Sequence, residues 1–437
     1  MLLALVLAAS PSVQLDGFPS VTQKEDFCGE AAVEMALRRT GAALTQDDVF
    51  NVSGLSPLKG RGVHADELAT ALRALGVEPG PVWFQSDAQT QWQALYDDLA
   101  RGVPSIVCMH FDASPGTTEH FRLVSGYDAA SDEVIAEDPA DGQRHRWKRA
   151  EFLKLMAFAP KSKKFNFIRL RVPAPASVPR VPVAERPSPA EVAQHVMALQ
   201  PTLPKGYQLA WEAPFLIIGP DVKKGLGVVS WTKRLLLKDL FARAPSTLEE
   251  VWLFTDAPSY VKYSRALFRM NPDTPYGYYL PGREALVMNV RPGYGTLTHE
   301  LVHPFVHENW SDAPAWLNEG LGSLFEQPQE RDGHFAGGLN WRLPHIQGAL
   351  AARRAPTLAQ LTALSDDDFY DDDTGVHYAA ARYLCFWLQE RGLLQRFVRR
   401  AFELKDANTA LEEVLGAPVD SVQRDYEEFV RGLKRRS

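Results

Sequence analysis

Between Pro173 and Pro189 the chain carries six prolines, at 173, 175, 179, 182, 187 and 189, and no apolar periodicity. Proline has no backbone donor and a fixed φ, so neither a helix nor an inner strand runs through such a stretch. It reads as an extended, semi-rigid spacer. A chain of 437 residues is thereby divided into two pieces, each long enough to bury its own core. The expected organisation is a first domain at 16–172, a linker at 173–187 and a second domain at 188–437. The second domain opens at Ser188-Pro189-Ala190-Glu191, a good helix N-terminus.

Composition limits what the two domains do. An apolar fraction of 45% with 23% charged residues is that of ordinary globular protein. A formal net charge of -7 argues against nucleic-acid binding, which calls for a basic surface. No apolar run reaches the ~20 residues of a membrane span. Residues 1–9 are apolar without a break and Ser10-Pro11-Ser12 follows, the pattern of a secretory signal. The expectation is a signal at 1–15 and an exported protein, periplasmic or secreted. The usual basic residue before the apolar core is missing, and a buried first strand or helix is the alternative. Three cysteines are too few for a disulfide framework. Cys108 and Cys385 read as buried apolar residues.

In the second half, Thr298-His299-Glu300-Leu301-Val302-His303 places two imidazoles four residues apart, on one face of a helix. Such a pair grips a metal ion, and zinc takes nitrogen and carboxylate ligands while keeping one position for water. A third ligand is needed. Glu319, in Pro314-Ala315-Trp316-Leu317-Asn318-Glu319-Gly320, is the natural one, on a second antiparallel helix. Glu300 is placed to act as general base toward water activated by the metal. Pro304, directly after His303, predicts a kink or early helix end once both histidines are placed. His307 reads as a solvated histidine rather than a ligand.

These motifs resemble the gluzincin zinc metallopeptidases, thermolysin-like and aminopeptidase-like, with the Trp-Leu-Asn-Glu-Gly phrase and the later Glu326 typical of bacterial members. The resemblance covers roughly the second half. It implies His299, His303 and Glu319 as zinc ligands, Glu300 as base, and a small sheet whose edge strand holds an extended peptide. It also suggests Tyr378, at the start of a helical run, as oxyanion donor; a core tyrosine is the alternative. The acidic stretch Asp366 to Asp373 reads as a solvated loop.

In the first half a helix begins just after Cys28 and closes at Gly41. A thiol at a helix N-terminus is expected to be stabilised as thiolate. Strands are expected at 105–111, 120–127, 133–137 and 165–172. His120 opens one and Asp138 ends the next, so a cysteine, a histidine and a carboxylate supply the parts of a thiol-peptidase triad. Gln23 is the oxyanion donor candidate. Over about 16–172 the pattern resembles papain-like bacterial peptidases that remove double-glycine leaders from exported peptides. That likeness implies Cys28 as nucleophile, His120 as base, Asp138 as its orienter and Gln23 at the oxyanion.

The sequence thus predicts an α+β protein: a papain-like domain linked to a thermolysin-like zinc peptidase acting on peptide or protein substrates. Two alternatives stand. In one, the Cys28 domain is the working peptidase and the zinc site is structural. In the other, both folds serve a non-catalytic peptide-binding protein.

Overall fold

The computed structural model describes residues 11–158, 166–181, 184–371 and 375–434. It mixes helix and sheet, as the α+β expectation requires, and divides into two compact units between Leu203 and Pro204.

The first unit is built on a seven-stranded sheet. Its neighbours in order are Trp83–Phe84, Phe167–Arg171, Ser105–His110, Glu119–Asp128, Glu133–Asp138 and Gln143–Lys148, all antiparallel. Strand side chains alternate between faces, and both faces here are apolar. Ile106, Cys108, Phe121, Leu123, Ile168 and Leu170 share a core with the helices Cys28–Arg38 and Ala65–Ala74. Val107, Met109, Val124 and Phe167 share another with Ala88–Ala100 and Arg149–Met156. The polar-looking strand Gln143–Lys148 escapes a reading by hydrophobicity because it lies at the sheet edge and is largely exposed.

Two expectations about the ends of this unit need correction. Residues 1–10 of the expected signal lie outside the described residues. Val13–Gln14, however, pairs with Tyr127 and Gly126, and the Leu15 amide donates to Ser125 at 2.8 Å. A leader running to residue 15 would remove a strand of the sheet, so that boundary is too far along. The helix Pro189–Leu199, expected to open the second domain, packs on the first: the Ala190 amide donates to Asn51 at 2.8 Å, and Ala190 and Ala193 join the core of the Cys28 helix. The prolines signal where regular structure stops. They do not signal where the apolar stripe beyond them finds its partner.

The second unit has a five-stranded sheet in the order Gly277–Leu280, Ala285–Asn289, Glu249–Phe254, Phe215–Gly219, Gln208–Glu212. The three inner strands are parallel, and each edge strand is antiparallel to its neighbour. The helix Val222–Asp239 makes the crossover that a parallel pair needs. Beyond the sheet the unit is largely helical.

The stretch read as a metal motif spans two short helices, Gly295–Glu300 and Val302–Asn309, interrupted at Leu301. The interruption was expected after His303; it falls before it. Proline clashes with the carbonyl four residues back and cannot donate to it, so Pro304 breaks the helix at Glu300–Leu301, upstream of itself. The next helix, Ala315–Leu324, packs on Val376–Glu390 through Gly320, where an added Cβ would stand 3.0 Å from the Ala381 carbonyl oxygen. The acidic stretch is also corrected. Ser365 caps a short helix, Asp366–Tyr370, by accepting from the Asp368 amide at 3.2 Å; residues 372 and 373 lie outside the described residues.

Candidate functional site

A cleft of 1060 Å³ opens in the second unit between the sheet-edge segment around Gly277–Leu280 and the helical half. His299, Glu300, His303 and Glu319 line it, and all four are buried. One glycine governs the local approach of the helices. An added Cβ at Gly322 would press on the His299 ring, 3.0 Å from Nε2, so only glycine lets the Glu319 helix pass that close.

The donor atoms converge. Ligand atoms of His299, Glu300 and His303 lie within 4.8 Å of one another, with the two imidazole centroids 5.0 Å apart. His299 Nε2 stands 3.3 Å from Glu319 Oε2. Two donors at ~2.0–2.1 Å from one tetrahedral zinc are themselves about 3.3–3.5 Å apart, so this separation fits the ion. Two nitrogens and a carboxylate oxygen are also a donor set that suits zinc.

Each imidazole is held from behind. His303 Nδ1 pairs with Asn318 Oδ1 at 2.8 Å, which assigns the proton to Nδ1 and leaves Nε2 as the free electron-pair donor. His299 Nδ1 faces Glu326 Oε1 at 3.4 Å, an ion-pair contact. Glu326 is in turn clamped by Arg342 at 2.8 Å and by the Asn340 side-chain Nδ2, which donates at 2.8 Å. Neighbouring groups of this kind orient metal-binding histidines and raise their basicity.

The electrostatics favour a cation. Burial alone would raise the Glu319 and Glu326 carboxyls. The two histidines, with Tyr370, outweigh it for Glu319, and His299 with Arg342 outweighs it for Glu326; both fall to about 2. Burial alone would lower His299, but the neighbouring Glu319 and Glu326 carboxylates raise it to about 10. Burial holds Glu300 above the usual carboxylate range, against the pull of both histidines. Ionised Glu319 and Glu326 stand on either side of His299, which without a metal carries the balancing proton.

Of the other expected residues, Tyr378 lines the cleft with its hydroxyl toward Glu319. Reasoning from sequence missed Tyr370, whose hydroxyl donates to Glu319 Oε1 at 3.0 Å. Its signal was hidden in the acidic run read as a loop. Asn318 and Arg342 were also missed as supporting groups. Asn318 was legible as the residue beside the expected carboxylate ligand, whereas Arg342 was not, because its partner is set by tertiary packing. His307 is exposed on the cleft wall, with no metal-donor contact among the described residues.

In the first unit, His120 Nε2 meets Asp138 Oδ1 at 2.6 Å, and Arg122 Nε donates to Asp138 Oδ2 at 2.6 Å. The backbone amide of Gln23 donates to the Pro139 carbonyl at 2.8 Å, and its side-chain Oε1 is buried without a hydrogen-bond partner among the described residues. The Cys28 sulfur lies at the Phe121 amide, next along the strand from His120. Among the described residues no hydrogen bond joins it to the imidazole. The electrostatics around Cys28 run against the expected thiolate. Burial, together with Glu30 and Asp26, pushes the thiol up to about 12, and the Phe121 and Gly29 amides offset this only in part. The dipole of one helix end is smaller than the cost of burying a charge.

Comparison with known proteins agrees for this unit. Residues 7–162 match the model of the Peptidase_C39 like family, which supports a papain-like, cysteine-peptidase-like N-terminal part. The match ends well before the metal motif. No curated protein matches the chain.

Proposed function

We propose that the protein is a zinc-dependent peptidase whose chemistry lies in the second unit, accompanied by a cysteine-peptidase-like first unit. The observation that carries this reading is the cleft in which two back-supported imidazoles and Glu319 present their donors around Glu300. His299, His303 and Glu319 would hold the ion. When bound, it supplies Lewis-acid polarisation of a carbonyl and acidifies water. Glu300 takes the proton of the attacking water and hands it to the leaving amine, and its raised pKa suits both tasks. Tyr378 donates to the developing oxyanion; Tyr370, already donating to Glu319, fixes that carboxylate. The open edge strand Gly277–Leu280 pairs with an extended peptide and aligns it along the cleft.

The test is hydrolysis of a mixed peptide set by wild type and Glu300→Gln at equal zinc content. A loss of roughly 10²–10⁴-fold in the variant, with zinc retained, is expected for a missing general base. Undiminished turnover would sink the assignment.

The paired His120 and Asp138, with the family match, favour a second reading in which the first unit cleaves peptides. Inhibition by a thiol alkylator but not by a chelator would establish it.

A further inference from the structure

A second cavity in the same unit, of 260 Å³, shares no lining residue with the cleft, and its walls are rich in positive charge. Arg243, Arg399 and Lys405 line it, against one carboxylate, Glu403. Arg243 follows the helix Val222–Asp239, Arg399 lies on the helix Leu394–Leu404, and Lys405 caps the end of that helix. Glu403 is engaged elsewhere, accepting from Arg400 Nη1 at 3.0 Å.

Like charges repel, so their gathering needs a cause. Part of it is local. Arg243 donates to the Glu308 carbonyl at 3.1 Å, Arg399 to the Lys238 carbonyl at 3.0 Å, and Lys405 to the Asn309 carbonyl. Those carbonyls close the C-terminal ends of the helices Val222–Asp239 and Val302–Asn309, and such ends attract cations. Each end carries only about half a negative charge, so two of them offset roughly one of the three cations. Among the described residues none of the three pairs with a carboxylate, and each arginine makes one side-chain hydrogen bond, leaving most donors of its planar fork unused. Lys405 feels the surplus: burial and the Arg243 charge both lower its pKa.

The cations are mounted on fixed backbone. Asn309, itself buried, donates from Nδ2 to the Arg243 carbonyl at 2.7 Å and accepts from the Arg243 amide at 3.2 Å. That clip ties the Arg243 segment to the end of the helix Val302–Asn309. Beside the charges, the Phe241 and Phe402 rings meet edge to face at 5.3 Å and give the cavity an apolar wall.

A surplus of about two positive charges calls for a dianion. Guanidinium forks combined with an ammonium point charge are the groups that hold phosphate oxygens. The volume falls just below the ~300–1,000 Å³ of drug-sized ligand sites, so the occupant that fits is small. We propose that Arg243, Arg399 and Lys405 form an anion site that takes a phosphate group, as the free ion or on a small monoester.

The experiment is calorimetric titration of the full chain, at fixed low ionic strength, with inorganic phosphate, phenyl phosphate and benzoate. One saturable site with a Kd of about a millimolar or below is expected for at least one of the two phosphates, and weaker binding for the monoanionic benzoate. The phosphate that binds more tightly tells whether the free ion or a monoester is the natural class. Arg399→Gln and Lys405→Met should each weaken binding roughly tenfold, the effect of losing one hydrogen bond to a charged group. Arg424→Gln, which removes an exposed charge paired with Glu428 on another helix, should leave it unchanged. Arg243→Gln is a third variant, and thermal melts without phosphate verify that each one folds. Absence of saturable binding would overturn the proposal, as would benzoate binding equal to that of the phosphates. Binding that survives both Arg399→Gln and Lys405→Met would place the phosphate at the metal cleft or elsewhere and would also overturn it. Vesicles of phosphatidylcholine with phosphatidic acid form the last arm: retention on them without binding of either soluble phosphate would assign the charges to a lipid surface and refute the pocket.

Discussion

At the scale of residues, the proposed zinc site would depend on groups that do not touch the ion. Asn318 sets the His303 tautomer, so Asn318→Ala should weaken zinc affinity about 10–100-fold, read by dye competition on the apoprotein. An unchanged affinity would mean that the tautomer is fixed elsewhere. In the first unit, a Cys28 thiol at about 12 is neutral at physiological pH. Iodoacetamide should therefore modify Cys28 more slowly than a free cysteine up to at least pH 8.5. Fast alkylation at pH 7 would instead show a thiolate and favour the cysteine-peptidase reading. Asp138 has the opposite sign. Burial would raise its carboxyl, but the His120 hydrogen bond, the Ala140 amide and Arg122 hold it well below the usual range. A carboxyl lowered on folding adds stability that is complete above its unfolded pKa of about 3.9 and is lost as pH falls below it. Acid titration of the first unit should show that loss. Asp138→Ala should remove it and cost about 3–5 kcal/mol at neutral pH, because Arg122 is left buried without its counter-ion, holding only the His110 and Phe111 carbonyls; denaturant melts give both values.

At the scale of elements, the break at Leu301 decides how the two histidines meet. Both sit on one motif, yet on separate helices, since Pro304 denies Glu300 its intrahelical partner. Pro304→Ala should restore that bond, make one continuous helix and raise the melting temperature of the metal-free second unit. It should also weaken zinc binding about tenfold, as the ring positions move off the fitted geometry. Calorimetry and dye competition separate the two effects; tighter zinc binding by the variant would refute the role given to the break. The sequence reading located the proline but put the interruption on its wrong side. The elements it missed, such as Gln143–Lys148 and the hairpin strands Pro328–Arg331 and His334–Gly337, are edge or paired strands that carry little apolar signal of their own.

At the scale of the molecule, the two units bury separate cores. Zinc that binds only the folded second unit stabilises it by mass action, about 2.7 kcal/mol at a hundredfold excess over Kd. A chelator should lower one calorimetric transition and leave the other in place. A shift of both by the same amount would show that the units unfold as one.

The residues of the site were legible because helical spacing alone brings His299, Glu300 and His303 to one face, and the Glu319 phrase names its own helix. The pairing of His120 with Asp138 was legible for the same local reason, neighbouring strands of a predictable sheet. What lay beyond the sequence depends on contacts between distant segments. These are the Glu326 and Arg342 support behind His299, the Tyr370 hydroxyl on Glu319, the return of Pro189–Leu199 to the first unit, and the desolvation that raises the Cys28 thiol. Periodicity and caps act within a few residues and can be read along the chain. Desolvation and long-range hydrogen bonding are properties of the packed interior, and they exist only once the chain has closed around them.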